Sequence, residues 1–151
     1  MNYMMNLKLR KATSHDSEFT YQTKKAAFKE YVNKVWGWDE TEQRKMHERR
    51  FPEQDVYIIQ HSGIDVGFLE KVNESDCVIV NQIYILPEYQ SKGIGTACMM
   101  SIIEEAGALN LAVQLQVLKV NDRAITFYDR LGFLRSGDTD THVLMEKRKG
   151  K

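Results

Sequence analysis

The first feature that indicates chemistry is a glycine turn at residues 90–96, which read Gln-Ser-Lys-Gly-Ile-Gly-Thr between a predicted strand and a predicted helix. The first N–H groups of a helix have no partner inside it and the helix dipole is positive there, so this turn can bind an anion. Gly93 and Gly95 leave room for a pyrophosphate against the backbone. Thr96 can donate a hydroxyl, and Lys92 adds a positive charge. The alternative is a plain strand-to-helix turn whose glycines serve packing alone.

The glycine turn does not fit two common nucleotide motifs. A P-loop requires GxxxxGK[ST], which the sequence lacks. A Rossmann fingerprint requires a third glycine where Cys98 stands and an acidic residue about twenty positions later, where only Gln114 and Gln116 lie. The strands before the turn also suit an antiparallel meander better than a doubly wound parallel sheet.

Hydrophobic periodicity predicts the elements that position this turn. Leu7 and Leu9 alternate with basic residues as in a half-buried strand, and Asp39 with Glu42 is typical of a capped helix start. The predicted elements, in chain order, are a strand at 7–10, helices at about 13–35 and 39–50, strands at 56–59, 66–69 and 77–86, a helix after Gly95, a strand at 113–117, a short helix opened by Asn121 and closed by Gly132, and a strand at 141–145. Residues 147–151 are predicted to form a frayed basic tail.

Bulk composition argues against several classes of function. The chain has 151 residues, enough for one domain with a real core but too few for two comfortable ones. Its 21 basic and 21 acidic residues balance, so no general field attracts nucleic acid or an anionic membrane. No apolar run is long enough to cross a bilayer, and residues 1–5 lack the basic and apolar regions of a signal peptide. We therefore expect a soluble, cytoplasmic protein.

Cysteine and histidine spacing gives no sign of a metal site. Cys77 and Cys98 show no CxxC spacing, which argues against a disulfide framework and a zinc site. The four histidines, at positions 15, 47, 61 and 142, lack the i, i+4 spacing that places two ligands on one helical face. We expect no metal and a reducing compartment.

Two segments resemble the signatures of the GNAT acetyltransferases. Residues 83–95, Ile-Tyr-Ile-Leu-Pro-Glu-Tyr-Gln-Ser-Lys-Gly-Ile-Gly, are similar to the family's central motif, which contains Q/RxxGxG/A after a strand and a proline. Residues 121–133, Asn-Asp-Arg-Ala-Ile-Thr-Phe-Tyr-Asp-Arg-Leu-Gly-Phe, resemble its second signature, and the two occur in the family's order. The resemblance implies a single α+β (α/β) domain over residues 1–151. Its central sheet would be mixed, mostly antiparallel and twisted, with about six to seven strands and about four helices on both faces.

The resemblance also implies acetyl-CoA as the acyl-donor cosubstrate. In the family, amides of the turn hold the pyrophosphate, and the strand before the turn pairs with the pantetheine arm. Carried over to this sequence, the cofactor-binding residues are Ile83, Tyr84, Ile85, Gln90, Ser91, Lys92, Gly93, Ile94, Gly95, Thr96, Asn121 and Tyr128. Asn121 has an alternative role as a helix N-cap, which could coexist with a cofactor contact.

The implied reaction is N-acetyl transfer, in which an amine attacks the thioester directly and Tyr128 protonates the departing thiolate. The alternative role for Tyr128 is packing beside Phe127. Some relatives use a glutamate five residues before the asparagine of the second signature, but this sequence has Gln116 there. That departure leaves the base open between Glu70, Glu88 and a water chain. It also keeps a non-catalytic acyl-CoA-binding module as the alternative function.

The acceptor is expected between the first two helices and the opposite edge of the sheet, where aromatic faces and carboxylates suit a cationic amine. The candidate substrate-binding residues are Tyr31, Trp36, Trp38, Asp39, Glu40, Glu42 and Glu70. Alternatively, the tryptophans fill the helix junction and the acids cap the second helix. A basic helix face, with Arg44, Lys45, Arg49 and Arg50, could instead meet an acidic peptide or only solvent. A peptide, polyamine, amino sugar or small amine stays open as the acceptor, and exposed strand edges are compatible with a homodimer.

Overall fold

The computed structural model describes residues 6–148, which contain four α-helices and seven strands. The strands are β1 (Leu7–Lys11), β2 (Val56–His61), β3 (Ile64–Asn73), β4 (Cys77–Ile85), β5 (Ala112–Leu118), β6 (Leu134–Asp138) and β7 (His142–Lys147). The helices are α1 (Ser17–Val35), α2 (Glu40–Arg50), α3 (Ile94–Ala108) and α4 (Asp122–Arg130). Short 3₁₀ turns occupy Ser14–Asp16, Phe51–Glu53 and Pro87–Tyr89. Among these residues, no helix is both long and apolar enough to span a membrane.

The strands hydrogen-bond in the order β1-β2-β3-β4-β5-β7-β6, which confirms the predicted α+β class and its seven-stranded sheet. β4 and β5 run parallel, from Cys77 opposite Ala112 to Val80 opposite Leu115. The pairs β1–β2, β2–β3, β5–β7 and β6–β7 are antiparallel. A parallel pair needs a crossover connection, and here the glycine turn and α3 provide it between β4 and β5.

The chain divides into two compact units, described separately below. The amino-terminal unit comprises the residues up to Glu70 together with Gln82–Gly95. The carboxy-terminal unit comprises Lys71–Asn81 and the chain from Thr96 onward. β3, β4 and α3 each continue from one unit into the other. The single domain expected from chain length stays a prediction.

The amino-terminal unit is built on one apolar cluster. Phe51, Val56, Ile58 and Phe68 are buried together, and Ala12, Phe19 and Tyr84 pack against them. Val56 and Ile58 are two residues apart on β2 and therefore share a face of the sheet. Phe51 directly follows α2, which has no buried residue of its own. This one ring therefore anchors the end of that helix.

The predicted helix starts are confirmed in the amino-terminal unit. Thr13 forms a capping box with Asp16, whose carboxylate accepts a hydrogen bond from the Thr13 amide at 2.8 Å. Asp39 caps α2 by accepting from the amide of Glu42 at 3.0 Å. α1 ends just before Gly37, whose φ of 82° is the left-handed conformation that helix C-termini commonly adopt.

In the carboxy-terminal unit, β5 shows the predicted alternation. Leu115 and Val117 are buried, whereas Gln114 and Gln116 are exposed. The buried residues of the neighbouring β7 pair directly opposite those of β5, as in Leu115 with Met145. α3 buries the residues predicted from helical spacing, namely Cys98, Met99, Ile102, Ile103 and Ala106. β7 includes Lys147, which the sequence pattern assigned to the tail, and residues 149–151 lie outside the described residues.

The sequence pattern missed β6, which lies at the edge of the sheet. All five of its residues are exposed, so the strand shows no apolar alternation. Its pairing with β7 shifts register between Arg135 and Gly137, an irregularity that bends an edge strand. β6 forms because β7 offers a free edge, and that information is not local to its own five residues.

One ion-pair network ties β1 to the start of α1. Asp16 is only 7% exposed and accepts two hydrogen bonds from the Arg10 guanidinium, at 2.8 and 2.9 Å. Arg10 also donates to Asp65 of β3 at 3.1 Å. The hydrogen bonds from Arg10 outweigh the effect of burial and lower the pKa of Asp16. The pair therefore stabilises the fold while Asp16 is ionised.

Replacement of this acid should destabilise the protein in a pH-dependent way. Asp16→Asn should lower the free energy of unfolding by about 1–3 kcal/mol at pH 7, because the buried hydrogen-bonded charge is lost. The folded-state pKa of Asp16 lies below its unfolded value of about 3.9, so this contribution is present above that pH. The gap between wild type and variant should narrow as the pH falls from 7 toward 3, measured by urea unfolding.

Asp55→Asn is the matched control, because Asp55 pairs with Lys11 at 2.9 Å with both side chains more than half exposed. This replacement should lower the free energy of unfolding by less than about 1 kcal/mol. The stabilising role of ionised Asp16 would be contradicted if both variants lost the same free energy of unfolding. A loss in Asp16→Asn that did not vary with pH would also contradict it.

Candidate functional site

The glycine turn has the backbone geometry of an anion site. After β4 and the 3₁₀ turn, Ser91 and Gly93 adopt left-handed backbones with φ of 61° and 83°. Alternation of left- and right-handed residues turns successive N–H groups toward one concave side. Ser91, Lys92 and Gly93 are exposed, while Ile94, at the start of α3, is buried and fixes the helix. The turn therefore presents amides and one lysine to solvent on a rigid support.

Gln90 supports the turn instead of projecting from it. Its side-chain amide donates to the carbonyl of Ile85 at 2.8 Å, which ties the turn back to the end of β4. The amide of Leu86 donates to the carbonyl of Val66 at 2.9 Å and holds the same segment against β3. The sequence motif singled out Gln90 as a cofactor contact, and the contact in place is a positioning one.

The backbone of β4 passes unusually close to β3 at one point. A Cβ atom at Gly67 would overlap the carbonyl oxygen of Tyr84. Ile83, Tyr84 and Ile85, the residues expected to pair with pantetheine, are all half-buried, and they follow the four residues of β4 that pair with β5. The absence of a side chain at Gly67 therefore sets the path of the strand that carries the predicted pantetheine contacts.

Thr96, Asn121 and Tyr128 lie in the carboxy-terminal unit. Asn121 caps α4, with its side chain accepting from the amide of Ala124 at 3.1 Å, so its alternative role is realised. Tyr128 is 7% exposed, and its ring packs edge-on against Phe127 and Phe133 at centroid distances of 5.0 and 5.4 Å. Burial raises the pKa of Tyr128, so its phenol is protonated at neutral pH.

The Tyr128 hydroxyl is not sealed in the core. Among residues 6–148, no buried side-chain oxygen or nitrogen lacks a hydrogen-bond partner, and no described group bonds to this hydroxyl. The oxygen therefore reaches solvent-accessible space while its ring stays packed. A phenol held in this way can meet a ligand with little side-chain rearrangement.

The profile of the acetyltransferase (GNAT) family matches residues 17–133. This chain belongs to the GNAT family. An uncharacterized N-acetyltransferase of Methanocaldococcus jannaschii is 30% identical to the GNAT chain over 89 residues, covering 54% of this chain. The match spans only 39% of that relative's own length.

Solved structures show the same GNAT fold. The PaiA N-acetyltransferase of Thermoplasma acidophilum, solved in complex with coenzyme A, has a TM-score of 0.77 at 17% identity, over 95% of this chain and 99% of that one. Mutant forms of the spermidine/spermine N-acetyltransferase SpeG of Vibrio cholerae reach a TM-score of 0.67 at 17% identity, over 93% and 92%. At these identities the likeness concerns the fold alone.

In this GNAT chain, Glu40 is engaged within the protein. It accepts from the hydroxyl of Tyr21 at 2.6 Å and the indole of Trp38 at 3.1 Å, and it pairs with Lys25 at 2.8 Å. Hydrogen bonds from these groups, that of Lys25 first, lower the pKa of Glu40 to about 2. Together with the Asp39 cap, they favour the structural alternative for this part of the expected acceptor site.

The other expected acceptor residues on the helices also have interactions within the protein. Tyr31 packs near Phe28, with centroids 6.1 Å apart, and lies under the ammonium of Lys34. Trp36 is 61% exposed at the end of α1. Glu42 is within 3.9 Å of Lys45. A contact between any of them and the acceptor stays a prediction.

Glu70 lies on the face of the sheet that α1 covers. It is 7% exposed on β3 and accepts from the side-chain amide of Gln82 on β4 at 2.9 Å. Phe68 and Tyr84, each two residues away along the same strands, pack with ring centroids 5.6 Å apart, so all four side chains share one face. Phe28 of α1 packs on Tyr84 at 5.0 Å. Glu88, the other acid that the sequence offered as a base, is exposed in its 3₁₀ turn.

The residue that sequence reasoning missed on this face is Lys24. It lies four residues before Phe28, which places it on the same side of α1. Helical periodicity could have identified it, because an i, i+4 partner of a sheet-facing aromatic must itself approach the sheet. Its positive charge gave no local signal among the many lysines of the helix.

The close approach of the Tyr84 carbonyl predicts that position 67 tolerates no side chain larger than that of glycine. Gly67→Ala should lower the free energy of unfolding by about 1–3 kcal/mol, because the obstructing atom belongs to the backbone and cannot rotate away. Gly137→Ala on β6 is the control, since its Cβ would meet nothing closer than Leu144 at 4.0 Å. Chemical denaturation measures both, and a Gly67 variant as stable as the Gly137 variant would disprove the constraint.

Proposed function

We propose that this GNAT chain is an acetyl-CoA-dependent N-acetyltransferase that transfers the acetyl group to a primary amine by direct attack on the thioester. The observation that carries the proposal is the turn before α3, where left-handed Ser91 and Gly93 expose backbone amides, in a chain of this family. The complex of PaiA with coenzyme A supports the choice of anion.

The cofactor would contact mostly backbone. Its pyrophosphate would accept hydrogen bonds from the amides of residues 91–96, with Lys92 adding charge, and its pantetheine arm would pair with Ile83, Tyr84 and Ile85. Gln90 would act by holding the turn, as its bond to Ile85 indicates. Because amides make these contacts, their affinity depends on backbone conformation more than on side-chain type.

The proposed reaction needs proton transfer and charge stabilisation. The amine nitrogen forms a bond to the carbonyl carbon, the carbon–sulfur bond breaks, and a strand amide donates to the transient oxyanion. The amine nitrogen releases one proton to solvent as the amide forms, the departing thiolate takes one from Tyr128, and solvent returns a proton to Tyr128. Burial raises the pKa of Tyr128 and keeps its phenol protonated at neutral pH, as a proton donor must be.

Glu70 is the stronger candidate for the group that faces the amine. It is buried on β3 and held by Gln82, which immediately precedes Ile83 in the strand proposed to carry the thioester. Gln116, at the position where some relatives have a glutamate, cannot accept the proton. Glu70 would bind the ammonium and take its proton directly or through water.

The cytoplasm is the proposed compartment. Cys77 and Cys98 are free and buried, which suits a reducing environment. The homodimer also stays a prediction, with the exposed edge strand β6 as its candidate surface.

Cofactor binding should be visible as a rise in melting temperature. Acetyl-CoA and desulfo-CoA should each stabilise the protein by about 2.7 kcal/mol at a hundred times Kd, whereas NAD and ATP should not. Gly93→Ala should weaken the effect, because its φ of 83° disfavours a side chain at the turn. Gly63→Ala is the matched control, with a φ of 82° in the β2–β3 turn and open space around its Cβ. No rise with either CoA ligand would refute the proposed cofactor.

The role of Tyr128 separates an enzyme from a non-catalytic module. Tyr128→Phe should lower kcat for thiol release by about 10²-fold or more while leaving the acetyl-CoA melting shift intact. Tyr57→Phe, on β2, should change neither quantity. An unchanged kcat would remove Tyr128 from the mechanism. A wild-type protein that binds acetyl-CoA and releases no thiol with any amine would favour the non-catalytic alternative.

A further inference from the structure

The charged residues of α1 and α2 differ in whether ion pairs and hydrogen bonds within the protein engage them. Two of the acids are engaged: Glu40 by Lys25, Tyr21 and Trp38, and Asp39 by the α2 cap. Besides Lys25, two further basic residues are engaged. Arg44 forms two hydrogen bonds with Glu18 and stacks 4.0 Å from the Tyr21 ring, and Lys45 approaches Glu42. Lys24 and Arg50 form no ion pair within residues 6–148, and neither do the exposed acids Glu30 and Glu48, which lie elsewhere on the two helices.

Lys24 is the first of these two cations without an ion pair. It is half-buried on the side of α1 that carries Phe28 onto Tyr84, and it forms no ion pair within residues 6–148. Burial, and next the charge of Arg50, lower the pKa of Lys24, whereas Glu70 acts in the opposite direction. A lysine in this setting gains more from an added anion than a solvated one does.

Arg50 is the second cation without an ion pair. It is the last residue of α2, directly before Phe51, whose ring enters the core cluster with Phe68. Its guanidinium is exposed and forms no ion pair within the described range. Phe51 packs in one cluster with Val56, the residue of β2 that pairs opposite Glu70, so Arg50 lies beside the part of the sheet that carries Glu70. The charge of Arg50 also contributes to the lowered pKa of Lys24.

His47, three residues before Arg50 on α2, adds no competing charge. It packs between Tyr21 and Phe51 at centroid distances of 5.5 and 5.3 Å, and its Nε2 lies 2.9 Å from the carbonyl oxygen of Ser17. Burial lowers the pKa of His47, so the ring is neutral at pH 7. The local pattern is therefore two cations, Lys24 and Arg50, beside one buried carboxylate, Glu70.

We propose that the acceptor is a small amine that also carries a carboxylate, bound between Lys24 and Arg50 while its amine faces Glu70. This inference rests on the proposed function and specifies its substrate class. A zwitterion matches both signs of charge, with the carboxylate accepting charge-assisted hydrogen bonds from the two cations. A polyamine, the substrate in the name of SpeG, would bring further positive charge to Lys24 and Arg50.

Matched pairs of amines test the inference. Thiol release from acetyl-CoA would be measured at pH 8 with the proteinogenic L-amino acids, the carboxamide of each, and spermidine. At least one amino acid should exceed its own carboxamide in kcat/KM by about 10- to 100-fold, the value of a lost charge-assisted hydrogen bond. A carboxamide has the less basic amine and hence the larger neutral fraction, so chemistry alone would favour the opposite order.

Variants identify the groups responsible. Lys24→Met and Arg50→Met should each raise KM for the amino acid about 10-fold and leave KM for its carboxamide unchanged. Lys29→Met, an exposed lysine of the same helix, is the matched control and should change neither. Because Arg50 is exposed, its variant keeps the test valid even where Lys24→Met fails to fold. Glu70→Gln should instead lower kcat for both members of a pair.

The outcomes separate the inference from the function beneath it. Preference for carboxamides or spermidine, or equal losses for both members of a pair in Lys24→Met and Arg50→Met, would overturn the inference and leave the acetyltransferase standing. Acetyl-CoA binding without turnover of any amine in the panel would also count against it. Failure of acetyl-CoA to bind would instead remove the proposed function.

Discussion

Unpaired main-chain N–H groups at the start of a helix are the constraint around which this molecule is arranged. They cannot be satisfied from within the helix, so the chain must cap them, expose them or offer them to a ligand. α2 and α4 are capped by Asp39 and Asn121. α3 instead follows a turn with two left-handed residues that hold amides at the surface. The bond from Gln90 to Ile85 and the buried Ile94 then fix the position of that turn.

Hydrogen bonds and ion pairs also distinguish the charged side chains of the amino-terminal unit from one another. Asp16 is buried yet fully bonded to Arg10 and to the backbone, and Glu40 has three donors. Such groups stabilise the fold and have little capacity left for recognition. Lys24 and Arg50 differ because the fold supplies them with no ion pair in the described range. Incomplete electrostatic satisfaction distinguishes side chains that can recognise a ligand from those that build the scaffold.

The sequence allowed the local features to be predicted. The glycine turn, the Asp39 cap and the alternation along β5 each depend on residues close together in the chain, where periodicity and capping chemistry act. β6 was missed because exposure of all its residues removes the alternation that identifies a strand. The partnership of Gln82 with Glu70 was missed for another reason: it depends on the pairing of two strands, which no single segment encodes. Motif similarity predicted a set of cofactor-binding residues but said nothing about Lys24.

α2 has no buried residue, and it is held by polar contacts, by the half-buried ring of His47 and by the ring of Phe51 at its end. Local opening of the helix therefore exposes little apolar surface, and it belongs among the segments that unfold at the lowest free energy. Salt screens the Arg44–Glu18 pair and lowers that free energy further. Amide hydrogen exchange along α2 would then quicken with ionic strength while the core strands stayed protected. Because α2 ends at Arg50, the ionic strength of the medium would also affect how often the segment around Arg50 is locally unfolded.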